Sequence, residues 1–333
     1  MKMTDFSTRR ISWLDMVKLI SIYLVIWGHA LQYLNSESPM DNPLWVFIYS
    51  FHMPLFMLLA GYFSANIFQK NWKDVLYGKF KQLVLPCIIW GGVTFILMKS
   101  INHGNTIQTL KIIFFDNLWF LKSLFFCIVM YRFAGFNAFI LILSLAISQI
   151  LPFKLPQMYP CFICGVLLRK IDFLNRLNNK SSILLIVLFT TLYVFFDSSY
   201  LDSNLRDAVY KVFNGELSPF VNELWKRFFR LLVGVVGALT IISSTKTIFQ
   251  VMSNKQFGNR LARYGSQTQA IYIIHGPIMI FILGAYLGMD MLSYHIYSFV
   301  FCPVISFLLL AFSLTLINIC PPKFREILFG SAN

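Results

Sequence analysis

Trp13-Leu-Asp15-Met-Val-Lys18-Leu-Ile-Ser-Ile-Tyr-Leu-Val-Ile-Trp-Gly-His29 opens a run apolar enough to span a membrane, yet it carries three ionisable side chains. Each such group costs roughly 2.5–3.5 kcal/mol in hydrocarbon, so three on one span point to a functional cavity. At 100° per residue Lys18 and His29 fall about 20° apart around the axis, and Asp15 falls about 40° to the other side of His29. The three share one face along about 20 Å of helix. A plainer arrangement also accounts for them: Asp15 and Lys18 neutralise each other near the cytoplasmic end, and His29 is an interior histidine with its hydrogen bonds met.

The rest of the chain has the composition of lipid-embedded helices. It is 57% hydrophobic and 13% charged, with 35 Phe and a mean hydropathy of +0.67, which excludes a soluble domain of this length. Apolar windows near the length a bilayer demands occur at residues 13–34, 44–65, 83–100, 118–133, 136–151, 156–171, 183–198, 228–246, 268–287 and 294–319. The expected fold is an all-α polytopic membrane protein, a bundle of about ten transmembrane helices in a single domain over 1–333. The windows at 118–133, 136–151 and 156–171 are short, and 118–151 fits tilted or partly re-entrant helices. The first run is too long and too charged for a cleavable signal, and no Ala-x-Ala-like site follows it; Arg9-Arg10 reads as cytoplasmic anchoring charge.

A net charge of +14 would suggest nucleic acid in a soluble protein, but topology explains it here. With the N-terminus in the cytoplasm and ten alternating spans, 18 of the 28 Lys and Arg fall on the cytoplasmic side and eight outside. Nine carboxylates lie outside, four inside, and Asp15 in the membrane. That asymmetry places both termini in the cytoplasm, with basic loops against anionic membrane lipids and no nucleic-acid partner.

The connection at 199–227 is the one long outer loop. Asp197, Asp202, Asp207, Glu216 and Glu223 alternate there with Tyr200, Tyr210, Phe213, Phe220 and Trp225. Two amphipathic pieces broken at Asn214-Gly215 and Ser218-Pro219 fit the pattern, either capping a sugar site or closing the bundle at the interface. Cys87, Cys127, Cys161, Cys164, Cys302 and Cys320 all fall in apolar runs, where cysteine acts as a small hydrophobe. Cys161-Phe-Ile-Cys164 has redox-motif spacing without the βαβ context. The five histidines form no metal-ligand pattern, and no metal is expected.

Five motifs, in order, resemble the membrane acyltransferase-3 family. Lys18-x(10)-His29 is similar to its first-helix signature of a basic residue, ten positions and a histidine. Phe51-His52-Met-Pro54-Leu-Phe56 with Ala60-Gly61-Tyr62 resembles the second-helix element of the branch similar to fucose 4-O-acetylases. Trp119-Phe-Leu121, Phe162-Ile-Cys-Gly165 and Gly265-Ser-Gln-Thr-Gln-Ala-Ile-Tyr272-Ile-Ile-His275 resemble three further elements. The chain departs from the family at Lys79-Phe-Lys81-Gln82, where Arg-x-x-Arg is usual, at Ala60 in place of Ser, and at Lys122 after the tryptophan element. No hydrolase-type domain follows the membrane part, so a partner chain would have to supply one if transfer needs it.

The resemblance implies an integral membrane O-acyltransferase of a bacterial cytoplasmic (inner) membrane. It would move an acyl group, usually acetyl from acetyl-CoA, to a hydroxyl of a surface glycan or lipid-linked sugar, alongside polysaccharide biosynthesis proteins. A hydroxyl needs a base within hydrogen-bond reach, and an imidazole suits that task. His29 is the expected base, or else carries the acyl group itself. Lys18 would hold the donor's carbonyl or phosphate, and Asp15 would orient Lys18. Lys79 and Lys81 would meet the CoA phosphates or serve as plain cytoplasmic anchors. His52, Trp119, Tyr272 and His275 are the expected substrate-binding residues, although interior hydrogen bonds equally suit the two histidines. Depth counting sets His52 beside His29 and His275 near the level of Lys18. An exporter of glycan intermediates is the alternative; against it, the two halves show no repeat and no paired broken helices.

Overall fold

Apolar runs introduced by Asn decide where several helices begin. Asn42 caps α2 (Pro43–Ser64): its side-chain oxygen accepts from the amides of Leu44 and Trp45, and Pro43 fits the first turn. Asn137 caps α7 (Ala138–Ser148), and Asn178 closes a capping box on α10 (Asn179–Val194). The structure, a computed structural model, describes residues 12–330 apart from 102–105, 136, 203–207, 209–210, 213–215, 253–254 and 285–288. Among the described residues the regular structure is entirely helical.

The remaining helices, in chain order, are α1 (Ser12–Tyr33), α3 (Trp72–Lys79), α4 (Leu85–Ile101), α5 (Thr106–Phe115), α6 (Trp119–Ala134), α8 (Leu155–Lys170), α9 (Phe173–Arg176), α11 (Ser218–Val251), α12 (Lys255–Tyr264), α13 (Thr268–Pro277), α14 (Tyr294–Ile319) and α15 (Pro322–Phe329). Ser12–Tyr33, Pro43–Gln69, Trp72–Lys99, Ser218–Val251 and Tyr294–Ile319 are each long and apolar enough to cross a bilayer. The pair Thr106–Phe115 and Trp119–Ala134, bent by 50°, makes a sixth if taken as one span. The protein is a polytopic helical membrane protein. Helix also occupies the described part of the other expected segments, in shorter pieces.

Two boundaries differ from those expected. The window 83–100 extends back to Trp72 through a π-helical turn at Phe80–Val84, which puts Lys79 and Lys81 inside a helix. The window 228–246 lengthens to the 34 residues of α11, because Ser218-Pro219 starts a helix instead of separating two. At about 51 Å, α11 exceeds a hydrocarbon core of about 30 Å. Much of the expected loop at 199–227 is therefore helix. Asp207, Tyr210, Phe213, Asn214-Gly215 and Arg9-Arg10 lie outside the described residues.

The interior centres on α2, which packs against α8, α11 and α1. Two glycines set the α2–α8 crossing. A Cβ on Gly61 would lie 1.9 Å from the Phe162 carbonyl oxygen, and one on Gly165 would lie 1.9 Å from that of Leu58. The outward faces are apolar, with Phe133, Phe139, Ile150, Val194 and Val251 each about three-quarters exposed. Such a surface is stable against lipid, not water.

Candidate functional site

His29, near the C-terminal end of α1, meets a histidine from α13. His29 Nδ1 and His275 Nε2 are 3.0 Å apart, with the rings stacked at a centroid distance of 5.1 Å. His275 Nδ1 lies 3.0 Å from the Ile271 carbonyl oxygen, which can only accept. In a neutral His275 the proton therefore sits on Nδ1 and Nε2 is an acceptor. His29 must then donate from Nδ1, which leaves the lone pair of its Nε2 unclaimed by this chain of bonds. His275 is fully buried, whereas His29 stays partly exposed. Tyr297, at the start of α14, donates its hydroxyl to the Ala30 carbonyl at 2.9 Å and so ties down the turn that carries His29.

The depth count set His275 near Lys18, but it stands against His29. The count began α13 at residue 268. The chain instead reaches the level of Asp15 at Gly265, where a Cβ would lie 1.8 Å from the Asp15 carbonyl oxygen. It then climbs through the 3-10 turn Gly265–Gln267, which rises faster per residue than an α-helix. His52 is not the direct partner. It donates Nδ1 to the Ile48 carbonyl at 2.8 Å, and its ring packs on Tyr49, whose own ring lies against Gly28 beside His29.

Asp15 and Lys18 form an ion pair at 3.0 Å, as their spacing on one face suggested. The Lys18 ammonium also sits 4.4 Å over the Phe63 ring. Lys18, Tyr272 and Gln269 line a lower cavity of about 140 Å³ with apolar walls from Phe56, Phe120 and Leu124. An upper cavity of about 280 Å³ is lined by His52, Tyr49, Trp119, Gln149, Lys154, Arg227 and Arg230. Met53 lines both.

Lys79 and Lys81 part company. Lys79 donates to Gln82 at 2.6 Å; Gln82 in turn reaches Gln269 at 3.5 Å, at the edge of the lower cavity. Lys81 pairs with Glu326 of α15 at 2.7 Å, well exposed. No group of three or more His, Cys, Asp or Glu among the described residues could hold a metal ion.

This geometry can be set beside known proteins. The sequence pattern of the acyltransferase-domain family matches residues 11–320. The chain belongs to the acyltransferase-3 family. The matched region is that family's acyltransferase domain. It is 33% identical over 129 residues to nodulation protein NolL of Mesorhizobium japonicum, covering 35% of this chain and 34% of that relative. It is 39% identical over 80 residues to nodulation protein NolL of Sinorhizobium fredii, covering 23% of this chain and 22% of that relative. The chain thus spans about a third or less of these relatives' length. No solved structure matches it.

In this chain the motif residues divide by what they touch. Gly61, Gly165 and Gly265 are points where backbone meets backbone, His29 and His275 touch each other, and Lys18 and Tyr272 line the lower cavity. Sequence reasoning passed over Lys154, Arg227 and Arg230, which charge counting absorbed as outer-loop cations. The available signal was an i, i+3 pair of arginines in a stretch that remains helical. Trp119 and Lys154 are also held unusually. Leu118, Phe153 and Lys154 have φ of 48°, 61° and 57°, the left-handed region that non-glycine residues avoid. The Lys154 ammonium lies 4.3 Å over the Trp119 ring.

Proposed function

We propose that the protein is a bacterial cytoplasmic-membrane O-acetyltransferase that moves acetyl from cytoplasmic acetyl-CoA to a hydroxyl of a surface glycan or lipid-linked sugar. In this reading the chain is one transmembrane domain of about ten spans with both termini in the cytoplasm. The observation that carries it is the His29–His275 pair, in which a relay from a buried histidine leaves the lone pair of His29 Nε2 outside the chain of bonds, on a partly exposed residue.

The residues have a consistent division of labour. Acetyl-CoA supplies the activated acyl group as a thioester. Lys18, Gln269 and Tyr272 give the lower cavity a cation and hydrogen-bonding groups within apolar walls, which suits the donor's arm of methylenes and amides. Lys79, through Gln82, is the better placed of the two lysines for a donor phosphate; Lys81 is neutralised by Glu326. His29 Nε2 takes the proton of the acceptor hydroxyl as its oxygen bonds the acyl carbon. The carbon–sulfur bond breaks, and the departing thiolate recovers a proton from His29. The positive charge that forms meanwhile on His29 is shared through Nδ1 with His275 and its Ile271 carbonyl. The sugar-acylating role, and acetyl as the acyl group, are supported by the likeness to the fucose 4-O-acetylase-like branch.

The test uses the purified full-length protein in proteoliposomes with radiolabelled acetyl-CoA. Slow donor hydrolysis and label on lipid or glycan are expected, both lost in His29→Ala. If the wild-type protein left every lipid and glycan unlabelled while an unmodified glycan accumulated in vesicles, the reading would fall in favour of export.

A further inference from the structure

We propose that Lys154, Arg227 and Arg230 form an anion site in the upper cavity that holds the phosphate of a lipid-linked acceptor. This rests on the acyl-transfer reading and specifies its second substrate.

Charge carries the first part. Three cations line one cavity whose lining includes no carboxylate. Glu223, with its carboxylate 3.8 Å from the Arg227 guanidinium, offsets one of them. Arg230 donates to the Leu201 carbonyl at 2.9 Å, and Arg227 to the Gln149 side chain at 3.2 Å, so the two forks are already oriented. Arg230 stands about 18 Å along α11 from its first residue, in a helix apolar enough to span the membrane. Cations that line a cavity of a membrane protein mark pathways for charged substrates. Guanidinium forks match a phosphate's oxygens, and a dianion suits three cations better than a single carboxylate does.

Backbone and hydrocarbon carry the second part. The left-handed conformations at Leu118, Phe153 and Lys154 converge on the Trp119–Lys154 contact, and such outliers cluster at ligand clamps. The same cavity is lined by Leu224 and Phe228, whose side chains are about half exposed on the apolar outside of α11. The opening thus faces lipid. A ligand with a phosphate head and a hydrocarbon tail fits both properties, whereas a free soluble sugar uses neither. A sugar next to the phosphate would lie along His52 and Tyr49, whose ring abuts Gly28 next to His29.

The experiment is titration calorimetry on the full-length protein in detergent, with no acyl donor, using farnesyl diphosphate, farnesol and inorganic pyrophosphate as probes. Farnesyl diphosphate is expected to bind at least tenfold more tightly than either of the others. Lys154→Gln and Arg230→Gln are each expected to weaken it about tenfold or more, the range for losing one charge-assisted contact. Arg230→Lys keeps a charge and guards against a folding defect; it is expected to bind with intermediate affinity. Lys226→Gln, a cation on the same helix outside the cavity, is expected to bind like the wild type. The proposal is overturned if farnesol or pyrophosphate matches farnesyl diphosphate, or if Lys154→Gln binds it unchanged. Because no donor is present, loss of this binding and loss of acyl transfer are read separately.

Discussion

His275 decides which nitrogen of His29 is left for chemistry. Its own Nδ1 is committed to a backbone carbonyl, so its Nε2 accepts, and His29 is fixed as the tautomer with its lone pair on Nε2. Replacing His29 by Ala is expected to lower kcat roughly 10²–10⁴-fold, the span of general-base contributions. His275→Phe removes only the acceptor that holds the tautomer, so it is expected to lower kcat by a smaller factor and leave KM for acetyl-CoA unchanged. Steady-state kinetics of both variants separates the roles, and equal wild-type kcat in His275→Phe would remove the relay. Asp15 and Lys18 offer a complementary case. Lys18→Met takes the ammonium from a buried carboxylate and is expected to destabilise the protein by about 2 kcal/mol. The double variant with Asp15→Asn should recover most of that loss, because the charge needing compensation is gone. Thermal unfolding of the wild type, the two single variants and the double variant measures the cycle, and additive effects would show that the pair is not coupled.

At the scale of helices, close backbone crossings hold the candidate site residues at their heights. Gly61→Ala must push a methyl into a carbonyl 1.9 Å away, and overpacking of this kind is expected to cost about 1–3 kcal/mol. Lys246 shows the same economy with polar groups: buried at the end of α11, it donates to the carbonyls of Leu174, Asn175 and Leu177, each at 2.9 Å. Lys246→Met leaves those acceptors without their donor and is expected to lower the melting temperature, whereas Lys226→Met, at a half-buried cation of the same helix, is not. Paired unfolding curves decide it. Lys246 also marks where sequence reasoning reached its limit. Charge counting makes it a cytoplasmic anchor, but counting carries no information about three carbonyls converging from the end of α9, some seventy residues earlier. The apolar windows and the shared face of Asp15, Lys18 and His29 were legible because 3.6-residue periodicity is local. The His29–His275 contact was not, since it depends on where α13 meets α1, and a start misplaced by three residues moved His275 from one partner's level to another's. The extension of α11 was likewise hidden, because an amphipathic first few turns read as loop until their Glu223–Arg227 pair is seen along a helix.

Across the whole molecule the two cavities share Met53 in their walls, and their chemistry is opposite in kind. The lower one is nearly all apolar around a single ammonium, at the end of α1 that positive-inside asymmetry assigns to the cytoplasm. The upper one is strongly cationic and belongs to the end of α1 where His29 sits, about 16 Å above Lys18. A donor found only in the cytoplasm and an acceptor carried in the membrane would therefore approach His29 from different sides. Sidedness follows from that arrangement. Right-side-out vesicles loaded with radiolabelled acetyl-CoA are expected to label acceptor lipid, and vesicles given the donor only from outside are expected to label at least tenfold less. Inside-out vesicles should reverse the preference, which controls for leakage. Equal labelling from both faces would mean that the lower cavity is not the donor's path, and the ordered route from Lys18 to His29 would have to be abandoned even if His29 remained essential.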